Sequence, residues 1–142
     1  MAMPVASVNL VAVVLAAAAS FVIGMLWYSP SLFGKTWIKE AGLTEKEMRK
    51  HKKGMAQKFG IAFLGGLAMA YVLAHFIAYA TEGYPTLGDG LLAAFWAWLG
   101  FVVPVTSGMV LWEGKSLKFY AINVGELLVS MLAMGALLAA WA

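Results

Sequence analysis

The sequence predicts an all-α fold: an integral membrane four-helix bundle with a short cytoplasmic or interfacial helix between the first two spans. The first observation is composition, because 63% of the 142 residues are hydrophobic and 12% are charged. Soluble domains are about 45–50% apolar and about 25% charged. A soluble chain this short could not bury so much apolar surface. The other two observations are four long apolar segments and one strongly basic connection.

Each apolar segment is close to the roughly 20 residues that a helix needs to cross the hydrocarbon layer. Segments of this length and continuity are typical of helices and not of barrel strands. The first segment has no Lys or Arg before it and is longer than a signal-peptide core of about 7–15 residues, so we interpret it as a retained span. The prediction is a single membrane domain, 1–142, with spans at about 4–28, 59–80, 87–112 and 119–141.

The basic residues predict the orientation. The first connection, 29–58, holds eight of the ten Lys and Arg residues, and the third adds Lys115 and Lys118. The second connection has no Lys or Arg. Because cytoplasmic loops carry an excess of Lys and Arg, the first and third connections are predicted in the cytoplasm. The predicted location is the cell inner membrane, with both termini outside the cytoplasm.

Part of the first connection should be helical. Thr44 and Glu47 have the spacing of a capping box, which predicts a helix beginning at Glu45, with Gly54 as a kink or break. The basic side chains of this helix would attract anionic lipid headgroups by roughly 1 kcal/mol per charge. Alternatively, they are only a topology signal. The candidate headgroup ligands are Arg49, Lys50, Lys52 and Lys53.

Small residues recur at every fourth position of the first two spans. Such stripes let helix backbones approach closely in lipid, where van der Waals contact drives association. We expect these faces to be buried against protein, within one subunit or between subunits. The stripes are Ala12, Ala16, Ser20 and Gly24, and Ala62, Gly66, Ala70, Ala74 and Ala78.

Two groups of polar residues lie inside the predicted spans. An ionisable residue there is costly and is a functional-site hypothesis by default. The first group combines Glu126, Asn123, Thr106, Ser107 and Ser20, which share one depth about 10 Å from the cytoplasmic side. Alternatively, Glu126 is a protonated structural donor and the hydroxyls bond their own helices.

The second group is His75 with Asn9, near the outer side. Alternatively, His75 faces the interface as an amphipathic ring.

Signatures of catalysis are missing from the sequence. It has no cysteine, and its two histidines, His51 and His75, fall at different predicted depths without metal-ligand spacing. We find no phosphate-binding glycine loop and no Ser, His and acid constellation. The net charge of +3 comes from residues beside the spans and does not indicate nucleic-acid binding. We therefore expect no enzyme, no catalytic residues, no metal and no cofactor.

Two groups of residues, which we call the two motifs, carry a family resemblance. Near the first connection they are Gly24, Trp-Tyr-Ser-Pro at 27–30, Phe-Gly-Lys at 33–35 and Trp37. Further on they are Gly-Phe at 100–101, Glu-Gly-Lys-Ser at 113–116, Asn123 and Gly125. Over nearly its whole length the chain resembles the bacterial membrane family catalogued as domain of unknown function 1761.

The resemblance implies a small four-span inner-membrane protein without an assigned activity. It also implies an aromatic residue at the position of Glu126 in many members, so a role for Glu126 would be particular to this chain. Candidates for a common role are the elbow residues Trp27, Tyr28, Pro30, Phe33, Gly34, Lys35 and Trp37. They also have a mechanical interpretation, because Pro30 ends a helix and the aromatic rings anchor the turn at headgroup level.

These observations favour a non-enzymatic membrane protein that self-associates, or joins a larger complex, through its small-residue faces. The alternative is an oligomeric small-solute or proton-coupled transporter in which Glu126 exchanges protons or cations. In either case the partners would be membrane lipids, including anionic ones, and further protein subunits.

Overall fold

The computed structural model describes residues 6–142, in which all regular secondary structure is helical and no strand occurs. Four of the helices are long and apolar enough to cross a membrane, which confirms the predicted fold class. Two short helices, where one was predicted, fill the first connection. The helices are α1 Leu10–Trp27, α2 Gly34–Ala41, α3 Glu45–Lys52, α4 Met55–Thr81, α5 Leu87–Leu111 and α6 Leu117–Ala140.

α1 begins at Leu10, later than the predicted start near residue 4. Asn9 caps it, because its Oδ1 accepts hydrogen bonds from the amides of Val11 and Ala12 at 3.0 and 3.3 Å. The preceding residues 6–9 are not helical, and residue 4 lies outside the described range. The Asn9 amide also donates to the carbonyl oxygen of Trp141 at 2.8 Å, which joins the start of α1 to the end of α6.

The first connection follows its local sequence signals. α3 begins at Glu45, and the Thr44 hydroxyl accepts from the amide of Glu47 at 3.2 Å. Gly54 then adopts a φ of +68°, a left-handed conformation that glycine adopts most readily. The helical conformation is therefore interrupted between α3 and α4 at the predicted glycine.

α5 is irregular in its middle. A π-helical turn, Trp98–Val102, separates the first α-helical part, Leu87–Ala97, from the next, Val103–Thr106. Pro104 lies just after the π segment, and it has no amide hydrogen to donate to the preceding turn. Two hydrogen bonds to α6 flank the irregularity: Trp98 Nε1 donates to the Val124 carbonyl at 2.8 Å, and the Tyr120 hydroxyl donates to the Val103 carbonyl at 2.6 Å.

α6 forms the centre of the bundle and contacts the other three long helices. Small residues allow these contacts, since Ala16, Ala70 and Ala94 are fully buried. The closest approach is between Gly90 on α5 and Gly135 on α6: a Cβ on either one would overlap the carbonyl oxygen of the other. Much of the small-residue surface is therefore used within the subunit.

The contact between Gly90 and Gly135 should be intolerant of a single methyl group. We expect Gly90→Ala to destabilise the bundle by about 1–3 kcal/mol, because the new Cβ would also lie 2.7 Å from the Ala139 Cβ. Gly100→Ala is the matched control on the same helix, since its Cβ would meet no atom within 4 Å. Unfolding midpoints in mixed micelles measure both variants, and equal midpoints would contradict the predicted close contact.

Candidate functional site

The elbow, residues 27–37, joins α1 to α2 through a compact turn at 28–33. The amide of Phe33 donates to the Trp27 carbonyl, and the amide of Gly34 donates to the Ser29 carbonyl, each at 3.0 Å. Gly34 is buried against this turn, where a Cβ would overlap the Tyr28 carbonyl oxygen and lie 2.7 Å from the Ser29 carbonyl oxygen. Since both neighbours are backbone atoms, only glycine fits at the start of α2.

Three aromatic side chains attach this elbow to one turn of α6. The Tyr28 hydroxyl and Trp37 Nε1 both donate to Asn123 Oδ1, at 2.7 and 3.1 Å. Trp27 Nε1 donates to the Ile122 carbonyl at 3.0 Å. Gly125 leaves room for the Trp27 ring, since a Cβ there would lie 3.3 Å from it. Partial burial raises the pKa of the Tyr28 phenol, which even at its ordinary value lies well above physiological pH, so the hydroxyl is a donor there.

The third connection contributes to the same end of the bundle. Ser116 caps α6 by accepting from the Phe119 amide at 3.1 Å, and its hydroxyl donates to Glu40 Oε2 on α2 at 2.6 Å. The Phe119 ring lies 5.7 Å from the Trp37 ring, and Lys115 Nζ lies 5.4 Å from the Phe119 centroid. The two sequence motifs are therefore in contact with each other.

Glu126 lies one turn beyond Asn123 on the same helix and is 8% exposed. Its Oε1 accepts a hydrogen bond from the Ser130 hydroxyl at 2.6 Å. Across from it is Gly24 of α1, where a Cβ would come within 3.5 Å of Oε1. Nine residues separate Glu126 from the start of α6 at Leu117, which is about 14 Å along the helix.

A partly open cavity of about 660 Å³ lies beside this carboxyl, between α1 and α4, and we call it the carboxyl groove. Ser20 and Tyr28 add polar atoms to its lining, while Phe21 and Phe59 form apolar walls. The two phenylalanine rings meet edge to face at 5.6 Å. An acidic group thus borders a largely apolar space that reaches the surface of the bundle.

The structure divides the first predicted polar group. Ser20 and Glu126 line one groove, whereas Asn123 is engaged by the elbow. The hydroxyls of Thr106 and Ser107 donate to carbonyls of their own helix, at Val102 and Pro104, both at 2.6 Å. These two side chains are thus bonded within α5, as the alternative interpretation expected.

The members of the second predicted group have separate partners. His75 Nδ1 lies 2.7 Å from the Tyr71 carbonyl oxygen, and its ring contacts the Tyr71 ring at 4.5 Å. Asn9 caps α1 and reaches Trp141.

Two partnerships escaped sequence reasoning. Ser130 follows Glu126 by four residues, a spacing that faces both side chains the same way and could have indicated their bond. The bond between Glu40 and Ser116 joins residues 76 positions apart, and no local signal precedes it. No cluster of three or more metal-ligating side chains occurs within residues 6–142.

A family model matches most of the chain. It is described as "Protein of unknown function (DUF1761)" and matches residues 11–139, which include both motifs and all four long helices except the ends of α1 and α6. The chain belongs to this family. No curated protein and no solved structure shows significant similarity to it. The family description assigns no activity, so the function has to be argued from the site.

Asn123 should be the residue that fixes the elbow. Asn123→Leu removes the acceptor of two hydrogen bonds, each worth about 0.5–1.5 kcal/mol, so amide exchange across 28–41 should speed up by about fivefold or more. Hydrogen-exchange mass spectrometry of that segment measures the effect. Ser107→Ala is the control, because its hydroxyl bonds within its own helix. Unchanged exchange in Asn123→Leu would show that the elbow is held in another way.

Proposed function

We propose that this protein is a non-enzymatic inner-membrane protein that binds a small lipophilic cation in the carboxyl groove. Glu126 would be the counter-charge and the apolar walls would hold the organic part of the ligand. The observation that carries the proposal is the placement of one buried carboxyl beside an open apolar space. Because the family resemblance implies an aromatic residue there in many members, the proposal concerns this chain.

The chemistry of the groove supports a cation over an anion or a neutral solute. A carboxylate removed from water is costly unless an opposite charge or hydrogen bonds compensate it. Glu126 has the Ser130 hydroxyl as a hydrogen-bond donor, and an organic cation would supply the missing charge. Phe21, Phe59 and Tyr28 present aromatic surface to such a ligand, which favours cations further.

Transport would follow if the carboxyl exchanged this cation for a proton. Only one of the two can occupy the carboxyl at a time, so the binding of each would release the other. Four helices are too few to enclose a transport path within one subunit. A transport cycle would therefore require two or more copies of the protein that surround the path.

The charge distribution supports an orientation for the proposal. The basic residues lie at one end of the bundle, between α2 and the first turn of α4 and between the third connection and the first turn of α6. By the positive-inside rule this end faces the cytoplasm of a bacterial cell, and both termini face the opposite side.

Substitution of Glu126 tests the cation site directly. With tetraphenylphosphonium as the probe, Glu126→Gln should weaken binding at least tenfold, because the amide keeps the shape and loses the charge. Glu113→Gln removes one charge from an exposed position and should leave affinity within twofold. Tetraphenylborate, an anion of the same shape, should bind the native protein poorly. Equal cation affinities for native protein and Glu126→Gln would refute the proposal.

Self-association through small residues is the second candidate, and one observation favours it. Gly65 on α4 is exposed, and a Cβ there would meet no atom within 4 Å. Ala62, one turn away, is exposed as well. These two residues offer an unpaired small surface against which a helix of a second copy could pack.

Native mass spectrometry of the gently extracted protein distinguishes the two candidates. If small-residue contacts hold copies together, Gly65→Leu should reduce the oligomer at least tenfold, whereas the open position Gly100→Leu should not. Ala62 and Gly65 also line the carboxyl groove, but Glu126→Gln leaves both unchanged and keeps the size of a buried side chain, so it should leave the oligomer intact. An oligomer that tolerates Gly65→Leu would exclude this contact.

A further inference from the structure

A second cavity lies beneath the elbow, on the side of α2 and α3, and nothing in the proposed cation site accounts for it. Its volume is about 600 Å³, and we call it the elbow pocket. The apolar part of its lining comes from α2, the turn after it, α3 and the first turn of α4. These side chains are Trp37, Ile38, Leu43, Met48 and Met55.

Apart from Tyr28 and Asn123, the polar part of the lining is basic. His51 and Lys52 belong to the last turn of α3, and Lys58 follows in the first turns of α4. Lys58 Nζ donates to the His51 carbonyl oxygen at 2.7 Å, which fixes this ammonium group beside the end of α3. Lys52 is exposed, and its ammonium group is free to turn toward a ligand. The pocket thus combines apolar walls with positive charge on one side.

We propose that the elbow pocket is a binding site for one anionic phospholipid. Its acyl chain would lie against Ile38, Leu43 and Met48, and its phosphate would meet the ammonium groups of Lys52 and Lys58. Charge complementarity determines the occupant, because an apolar cavity with a cationic rim fits an amphiphile with an anionic head. The position agrees, since the pocket adjoins the start of α4, a helix long and apolar enough to cross a membrane.

A specific pocket and diffuse attraction to a basic surface predict different effects when single lysines are removed. Lys50 and Lys52 lie two residues apart on α3, so they project about 200° apart around the helix axis. Lys52 lines the pocket, and Lys50 is not part of its lining. Loss of either lysine removes the same charge from the same helix. Diffuse attraction would therefore respond equally to both, whereas a pocket would respond to one.

The experiment uses the full chain in nanodiscs of phosphatidylcholine with a minor fraction of phosphatidylglycerol. Native mass spectrometry after release from the disc counts phosphatidylglycerol molecules retained per chain. We expect one retained molecule in the native protein, and at least a fivefold lower occupancy in Lys52→Gln. Lys50→Gln should stay within twofold of the native protein. Retention should also persist at 0.5 M salt, where diffuse attraction to exposed charges is largely screened.

A second variant tests the apolar half of the site. Leu43→Asn keeps every charge and places a polar group in the wall, so it should lower retention at least threefold. A photoreactive phosphatidylglycerol with a diazirine on its acyl chain tests the native protein without any substitution. Its cross-links should fall within 37–55 and be competed by unlabelled phosphatidylglycerol.

Three results would overturn the proposal. Equal losses in Lys50→Gln and Lys52→Gln would mean that surface charge alone attracts the lipid. Full retention in Leu43→Asn would mean that no acyl chain enters the pocket. Cross-links spread over α4, α5 and α6 without competition would identify ordinary boundary lipid instead.

Discussion

Close backbone contact around α6 is the constraint on which the bundle depends. In lipid the apolar surface of a helix has no water to escape, so association relies on van der Waals contact and on hydrogen bonds between helices. Gly90 and Gly135 bring α5 and α6 together at the backbone, and Gly66 of α4 faces the backbone of Ala17 of α1, whose carbonyl oxygen would lie 3.8 Å from a Cβ at Gly66. Every other feature of the molecule, including the cavities at its surface, is arranged around this tightly packed centre.

Hydrogen bonds then fix the positions of the helices, which contacts between small residues alone would allow to slide past one another. α6 receives side-chain donors from the elbow at Ile122 and Asn123, and from α5 at Val124. Its next turn carries Glu126, whose bond to Ser130 remains within the helix. One face of α6 therefore changes from a structural anchor to a candidate binding surface over a few residues. This proximity means that a ligand beside Glu126 would lie directly under the elbow.

Sequence reasoning predicted the long helices and the break at Gly54, because both depend on local composition and backbone preference. It also predicted the start of α3, which depends on the side chain of Thr44. It did not predict the π-helical turn at Trp98–Val102, which precedes Pro104 and lies between two hydrogen bonds that join α5 to α6. Depth estimates placed Thr106 and Ser107 near Glu126, but depth does not determine which way a side chain points around its helix. The bonds of Asn123 to Tyr28 and Trp37 depend on that rotation, which only packing determines.

The bond between Asn9 and Trp141 has a consequence for how such a chain could be enlarged. It holds the first turn of α1 against the last turn of α6. The start of the first helix and the end of the last helix are therefore close together, at the same end of the bundle. An even number of crossings between them returns the chain to the side from which it started. Two copies could therefore be fused in tandem through a short linker, with both halves keeping the same orientation. A duplicated protein with eight spans would need no inversion of either half and no additional crossing segment.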